Sequence, residues 1–291
     1  MINPEMKIGF IGIGVMGKSM ATHILDSGLT LYVYNRTKLH AQSLLDKGAI
    51  WKETVADLSA QVDVIISIVG YPKDVEEIYF GDKGIISNAK PGSTLIDMTT
   101  SKPSLAKRIY KEAKCKNLNS LDAPVSGGDI GAKNATLTIM VGGDQEIFEN
   151  MKPILNLMGT NIVFQGKPGA GQHTKMCNQI AIASNMIGVC EAMIYAKRAG
   201  LDPQTVLKSI GSGAAGSWSL SNLAPKMLNS DFEPGFYVKH FVKDMNIAIS
   251  EAKAMGFNAP GLELSKSLYD ELITKGNENK GTQILYQLLD K

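Results

Sequence analysis

At 291 residues the chain is long for one average domain and comfortable for two. Hydrophobic residues make up 44% and charged residues 20%, the makeup of a globular protein with a large core. A formal net charge of +2, with no basic run and no RNA-reading aromatic motif, gives no reason to invoke nucleic acid.

The first seven residues lack a basic segment leading into an apolar one, and the apolar run 8–13 is interrupted by Gly9 and Gly12. No signal peptide is expected there. No window approaches the ~20 apolar residues of a membrane span, so a soluble, cytoplasmic protein is expected. Strands are predicted at 7–12, 31–35, 62–69, 93–98, 120–123, 136–141 and 162–164, most of them continuous β-branched runs of the kind buried on both faces. Helical stretches lie between them, such as 16–27 closed by Gly28 and 73–79 opened by Pro72. Such alternation implies a mostly parallel, doubly wound sheet. After Gly166 the character changes. A long apolar helix is predicted over 172–198, then helices at 203–210, 220–229, 237–255, 260–274 and 282–289. The fold class is therefore α/β: a Rossmann-type domain over 1–166 and an all-α domain over 167–291, joined by the long helix.

Gly12, Ile13, Gly14, Val15, Met16 and Gly17 give the spacing G-x-G-x-x-G between a buried strand and a helix. In that context Gly12 serves a tight turn, Gly14 the approach of a pyrophosphate, and Gly17 close packing of helix on strand. The helix N-terminus then offers unpaired N–H groups and a positive dipole end to phosphates. The second strand ends in neutral Asn35, followed by Arg36 and Thr37, where an NAD-preferring fold places an acid. A guanidinium and a hydroxyl suit a 2′-phosphate, so NADP is the expected cofactor, with NAD as the other candidate.

Lys175 follows a Gly-rich approach, 169–171, one or two turns into the long helix, where the two domains are expected to meet. A partly desolvated lysine there has its pKa lowered toward neutrality and suits proton delivery to an alkoxide. Asn178 and Gln179 share its helix face and can hydrogen-bond a carbonyl. Ser126, Gly127 and Gly128 offer a hydroxyl and turn amides suited to a carboxylate, although such a turn is as often merely flexible. Thr100 ends a strand where doubly wound sheets collect ligands, with Thr99 as a competing assignment, and Val69 ends a neighbouring strand. Cys115, Cys177 and Cys190, an odd count without metal spacing, are expected as free thiols in a reducing compartment. His23, His40, His173 and His240 likewise have no spacing suited to a metal, and none is proposed.

Taken in order, 12–17, the run 122–128, the run 169–178, and Phe236 with Lys243 and Asp244 resemble the β-hydroxyacid dehydrogenase family, which includes 3-hydroxyisobutyrate dehydrogenases and glyoxylate/succinic semialdehyde reductases. The resemblance covers essentially the whole chain. It implies hydride transfer between NADP(H) and a small β-hydroxy acid or its semialdehyde, with Lys175 as catalytic acid/base and the serine turn on the substrate carboxylate. It also implies Thr100 near the nicotinamide, Lys243 reaching toward the cofactor, and Phe236 and Asp244 shaping the substrate side. The family often has asparagine four residues after its lysine; here Gln179 stands there and Asn178 one place earlier, so either amide can orient the substrate. An NADPH-dependent glyoxylate/succinic semialdehyde reductase is one alternative. A non-catalytic NADP(H)-binding sensor is another, against which the presence of Lys175, Ser126 and Asp244 speaks. Apolar positions in the second domain, including Ile284, Leu285, Leu288 and Leu289, suggest a homodimer or homotetramer.

Overall fold

Short β-branched runs broken by glycine turns assemble, in the computed structural model, into one nine-stranded sheet; the structure describes residues 3–290. In chain order the first half contains β1 (Lys7–Ile11), α1 (Val15–Asp26), β2 (Thr30–Tyr34), α2 (Gln42–Leu45), β3 (Ile50–Trp51), α3 (Val55–Ser59), β4 (Val64–Ser67), α4 (Pro72–Tyr79) and α5 (Ile85–Asn88). There follow β5 (Thr94–Asp97), α6 (Pro103–Cys115), β6 (Asn119–Asp122), β7 (Val125–Ser126), α7 (Gly128–Lys133), β8 (Leu137–Gly143), α8 (Gln145–Leu155) and β9 (Gly159–Gly166). The strand order is β3-β2-β1-β4-β5-β6-β8-β7, with β9 against β8. The strands from β1 to β6 run parallel, whereas β8 is antiparallel to β6 and β7.

Strand order reverses between β1 and β4, and the crevice outside the carboxyl ends of such strands is the ligand position of doubly wound folds. Side chains alternate across the sheet, as a period of two requires. Ile8, Phe10, Val64 and Ile66 join Ile24 and Leu31 in one core. Ile11, Ile65 and Leu95 join Leu58, Val75 and Leu105 in a second on the opposite face. Helices cover both faces, which is why the strands read as unbroken apolar runs.

The chain forms two compact units divided after Lys175. The second unit is built from the rest of α9 (Ala170–Arg198), α10 (Pro203–Ile210), α11 (Trp218–Asn222), α12 (Ala224–Leu228), α13 (Val238–Ala254), α14 (Pro260–Thr274) and α15 (Leu285–Leu289). Its core gathers Ala183, Met186, Cys190 and Met193 of α9 with Phe241 and Met245 of α13 and Tyr269 of α14.

One omission and two readings of the sequence need correction. The short strands β3 and β7, two residues each, carry no periodicity of their own. The helix expected over 220–229 is two helices meeting at Leu223, because Pro225 opens the second and a proline ring cannot continue the first. Third, α9 does reach the length and apolarity of a membrane span, with a window of mean hydropathy 1.3, contrary to the expectation that no window would. Its face of Met176, Ala183, Met186, Cys190 and Met193 is buried in the second unit's core, and 39% of the apolar window is buried in all.

Candidate active site

The glycine loop is built by sterics. Gly12 has φ +99°, and a Cβ there would lie 2.1 Å from the Ile68 carbonyl oxygen. A Cβ on Gly17 would lie 1.9 Å from the Gly12 oxygen, so α1 can sit this close to the loop only with glycine. Gly14 differs: a Cβ would meet nothing within 4 Å, which leaves open space outside the first turn of α1. Gly14 is the N-cap of α1 without a side-chain cap, and the first turn, with Val15 and Met16, holds no acid. Free amides, a positive dipole end and open space fit the pyrophosphate of a dinucleotide.

Asn35 braces this loop: its Oδ1 accepts the Ile13 N–H at 3.0 Å, and its Nδ2 donates to the Thr37 carbonyl at 2.9 Å. Arg36 and Thr37 lie exposed beyond the end of β2. An Arg36 nitrogen sits 3.5 Å from Oδ1 of Asp74, but the arginine side chain is 77% exposed and the pair holds it loosely. Val69, half-buried, stands next to Gly12 and would touch a Cβ there at 3.3 Å.

Along the carboxyl ends of β4, β5 and β6 runs a buried polar network that sequence reasoning missed. Oδ1 of Asp97 accepts from the Ser67 hydroxyl at 3.1 Å and from the Thr99 N–H at 3.1 Å. Oγ1 of Thr99 accepts the Val69 N–H at 3.0 Å. Burial pushes the Asp97 carboxyl up to about 6, against the hydrogen bonds from Thr99 and Ser67 that hold it down; nearby Asp122 adds to the rise. Thr99 is thus committed to the fold, while Thr100 beside it is half-buried.

Asp122, next to Asp97 across the β5–β6 register, holds the start of α9. Its Oδ1 accepts the Gly169 N–H at 2.7 Å and its Oδ2 the Gln172 N–H at 2.8 Å. Burial raises the Asp122 carboxyl, and these two amides oppose the rise. A Cβ on Gly171 would lie 2.3 Å from the Met140 oxygen, so the helix start lies directly on the sheet end. Gln172, fully buried, accepts the Ser101 N–H at 2.8 Å and donates to the Thr99 carbonyl at 2.7 Å. Lys175 follows one turn later and is 7% exposed.

Ser126 ends β7, and Gly127 and Gly128 follow with φ +127° and +64°, conformations that only glycine takes without strain. They open α7, whose first turn also holds Asp129, an acid at the end where a carboxylate ligand would sit. Nε2 of His23 in α1 lies 3.0 Å from the Ala132 carbonyl and 3.1 Å from that of Lys133, which ties α7 to the helix of the glycine loop.

In the second unit Gln179 is fully buried. Its Nε2 donates to Oδ2 of Asp244 at 2.6 Å, and its Oε1 accepts from Nδ2 of Asn178 at 2.8 Å. Asn178 remains half-buried. Lys243 Nζ lies 2.8 Å from Oδ1 of buried Asp244. Phe236 is half-buried against Phe241, with ring centroids 5.5 Å apart. Among the described residues no three His, Cys, Asp or Glu side chains gather as a metal site.

Residues 7–166 match the family model described as the NAD binding domain of 6-phosphogluconate dehydrogenase. Residues 169–289 match that described as NAD-binding of NADP-dependent 3-hydroxyisobutyrate dehydrogenase. The chain is 68% identical to an uncharacterized oxidoreductase of Bacillus subtilis, over 97% of this chain and 98% of that protein. It is 47% identical to the Arabidopsis thaliana protein named "Probable 3-hydroxyisobutyrate dehydrogenase-like 1, mitochondrial", over 98% of this chain and 85% of the relative. The solved structure of Mycobacterium tuberculosis 3-hydroxyisobutyrate dehydrogenase with L-serine superposes with a TM-score of 0.90 at 27% identity, covering 99% of this chain and all of that one.

Proposed function

This chain belongs to the β-hydroxyacid dehydrogenase family as an oxidoreductase with NAD(P)-binding domains, and on that footing we propose that it moves a hydride between NADP(H) and a small β-hydroxy acid or its semialdehyde, with Lys175 as general acid/base. The observation that carries this reading is the placement of Lys175. It is buried one turn into a helix whose first amides are capped by Asp122, in the unit that also bears the glycine loop. A buried ammonium on a rigid helix is a proton donor of fixed position, and general acid–base catalysis needs that fixity.

The glycine loop 12–17, with Arg36 and Thr37, would hold NADP(H), which when bound would supply or accept the hydride. The Lys175 ammonium hands a proton to the alkoxide that forms on reduction and takes it back on oxidation. Ser126 and the amides opened by Gly127 and Gly128 hold the substrate carboxylate, and Asn178 or Gln179, joined to each other by one hydrogen bond, presents its amide to the reacting oxygen. The preference for NADP rests on exposed Arg36 and Thr37 beyond a neutral strand end.

Turnover tests the reading. Purified protein given NADPH and a panel of aldehyde acids should consume nicotinamide absorbance. Lys175→Ala should lower kcat at least ~10²-fold while the Kd for NADPH stays nearly unchanged. Full kcat in that variant removes Lys175 from the role; tight cofactor binding without turnover on any substrate moves the protein to the sensor class.

A further inference from the structure

Gln172 makes two hydrogen bonds with its side-chain amide, and both reach the backbone on either side of Thr100: the carbonyl of residue 99 and the N–H of residue 101. Its own N–H goes to Asp122. One fully buried residue therefore joins three things: the end of β6, the segment after β5, and the first turn of α9. We propose that Gln172 is a positioning residue, which sets the rotation and height of α9 so that Lys175 stands in register with Thr100. The proposal rests on the reading of Lys175 as the acid/base.

Each of the joined parts is held by other groups as well, and that sets this link apart from ordinary framework. The start of α9 is fixed to the sheet by both oxygens of Asp122 and by the contact that Gly171 permits with the Met140 carbonyl. The segment after β5 is fixed by Asp97, which accepts the Thr99 N–H, and by the Thr99 hydroxyl on the Val69 N–H. Without Gln172 both parts retain these ties but lose the two bonds that run from the first turn of α9 to residues 99 and 101. Lys175 lies three residues on from Gln172, on the same helix face, so a small rotation of the first turn is carried straight to its Nζ. A misplacement of about 1 Å at a reacting group can cost ~10²-fold in rate.

The amide also explains the residue type. The position needs one acceptor and one donor on a single planar group, pointing to a N–H and a C=O two residues apart. A glutamate supplies the acceptor only, and would set a second charge beside the raised Asp122 carboxyl.

The experiment uses the full-length protein with three variants: Gln172→Met, which keeps length and loses both hydrogen bonds, Gln172→Glu, which keeps the bond to Ser101, and Lys175→Ala as control. The readouts are kcat, KM, the Kd for NADPH, and the primary isotope effect with NADPH deuterated at the transferred position. For Gln172→Met the expectation is a kcat at least about tenfold lower and an isotope effect larger than wild type. KM and the Kd for NADPH should stay within about threefold. Gln172→Glu, with one bond kept and a charge buried beside Asp122, should fall at least as far, and Gln172→Leu stands in if the Met variant does not fold. A kcat within threefold of wild type in the Gln172 variants, with Lys175→Ala inactive, overturns the positioning role and leaves the acid/base reading intact. Parallel losses in kcat, KM and cofactor affinity overturn it as well, since they report a general loosening. An active Lys175→Ala removes the acid/base reading itself.

Discussion

Asp97→Asn should make the protein's stability less sensitive to pH, and the size of the change follows from where the carboxyl sits. Asp97 is 4% exposed, and burial raises its carboxyl from 3.8 to about 6. At ~1.4 kcal/mol per pH unit, ionisation of Asp97 costs the folded state about 3 kcal/mol more than the unfolded chain. Because the folded value is the higher one, the folded state binds the extra proton. The full stability is present below the unfolded value of 3.8 and is lost as pH rises through about 6. Between about pH 4.5 and about pH 7.5 the wild type should therefore lose about 2 kcal/mol relative to Asp97→Asn, whose amide does not titrate. Titrating groups that do not interact with Asp97 cancel in that difference. Urea unfolding followed by Trp51 fluorescence, in a Trp218→Phe background, reads the first unit, because the chain has two tryptophans and Trp51 lies in that unit. Curves for wild type and variant that run parallel across this range, within about 0.5 kcal/mol, would refute the raised carboxyl.

Two glycines of the cofactor loop should respond differently to the same change. Gly14→Ala enters open space and should leave stability alone while lowering NADPH affinity at least tenfold, about 1.4 kcal/mol. Gly17→Ala drives a methyl into the Gly12 oxygen and should lower both; equal thermal shifts in the two variants would contradict the steric account. Arg36→Leu should reduce kcat/KM with NADPH about 10- to 100-fold, the range of one charge-assisted hydrogen bond, and leave NADH nearly unaffected. Equal losses with both cofactors would show that the guanidinium does not meet the 2′-phosphate.

Much of the fold can be read along the chain because its signals are local. Strands β1, β4 and β5 are apolar runs that need no partner to be recognised, and α10 and α14 begin at prolines where the sequence predicts them. The two-residue strands β3 and β7 exist only through their neighbours, Tyr32–Val33 and Thr138–Ile139, and have no local signature. The site divides in the same way. Gly12, Gly14, Gly17 and Lys175 stand in spaced motifs. Asp97, Asp122 and Gln172 take their roles from groups far along the chain, such as the Thr99 carbonyl, 73 residues from Gln172. A trace of them is nonetheless present: an acid closing an apolar strand, as in Leu95-Ile96-Asp97 and Ser120-Leu121-Asp122, must find partners once buried. Asn35 shows the opposite case. Its neutral charge is legible, but its bond to the Ile13 amide is not.

That bond bears on how such an enzyme can change its diet of cofactors. Asn35 holds the glycine loop through its Oδ1 on the Ile13 amide and the turn after β2 through its Nδ2 on the Thr37 carbonyl, while Arg36, the next residue, is tied only loosely to Asp74 and projects into solvent. An aspartate in place of Asn35 would keep the acceptor for Ile13 but turn a second oxygen toward the Thr37 carbonyl. Substitution at Arg36 disturbs nothing in the loop. On the proposed NADP reading, loop geometry and cofactor choice are lodged in adjacent but separable residues, and selection or design can rewrite the second without rebuilding the first.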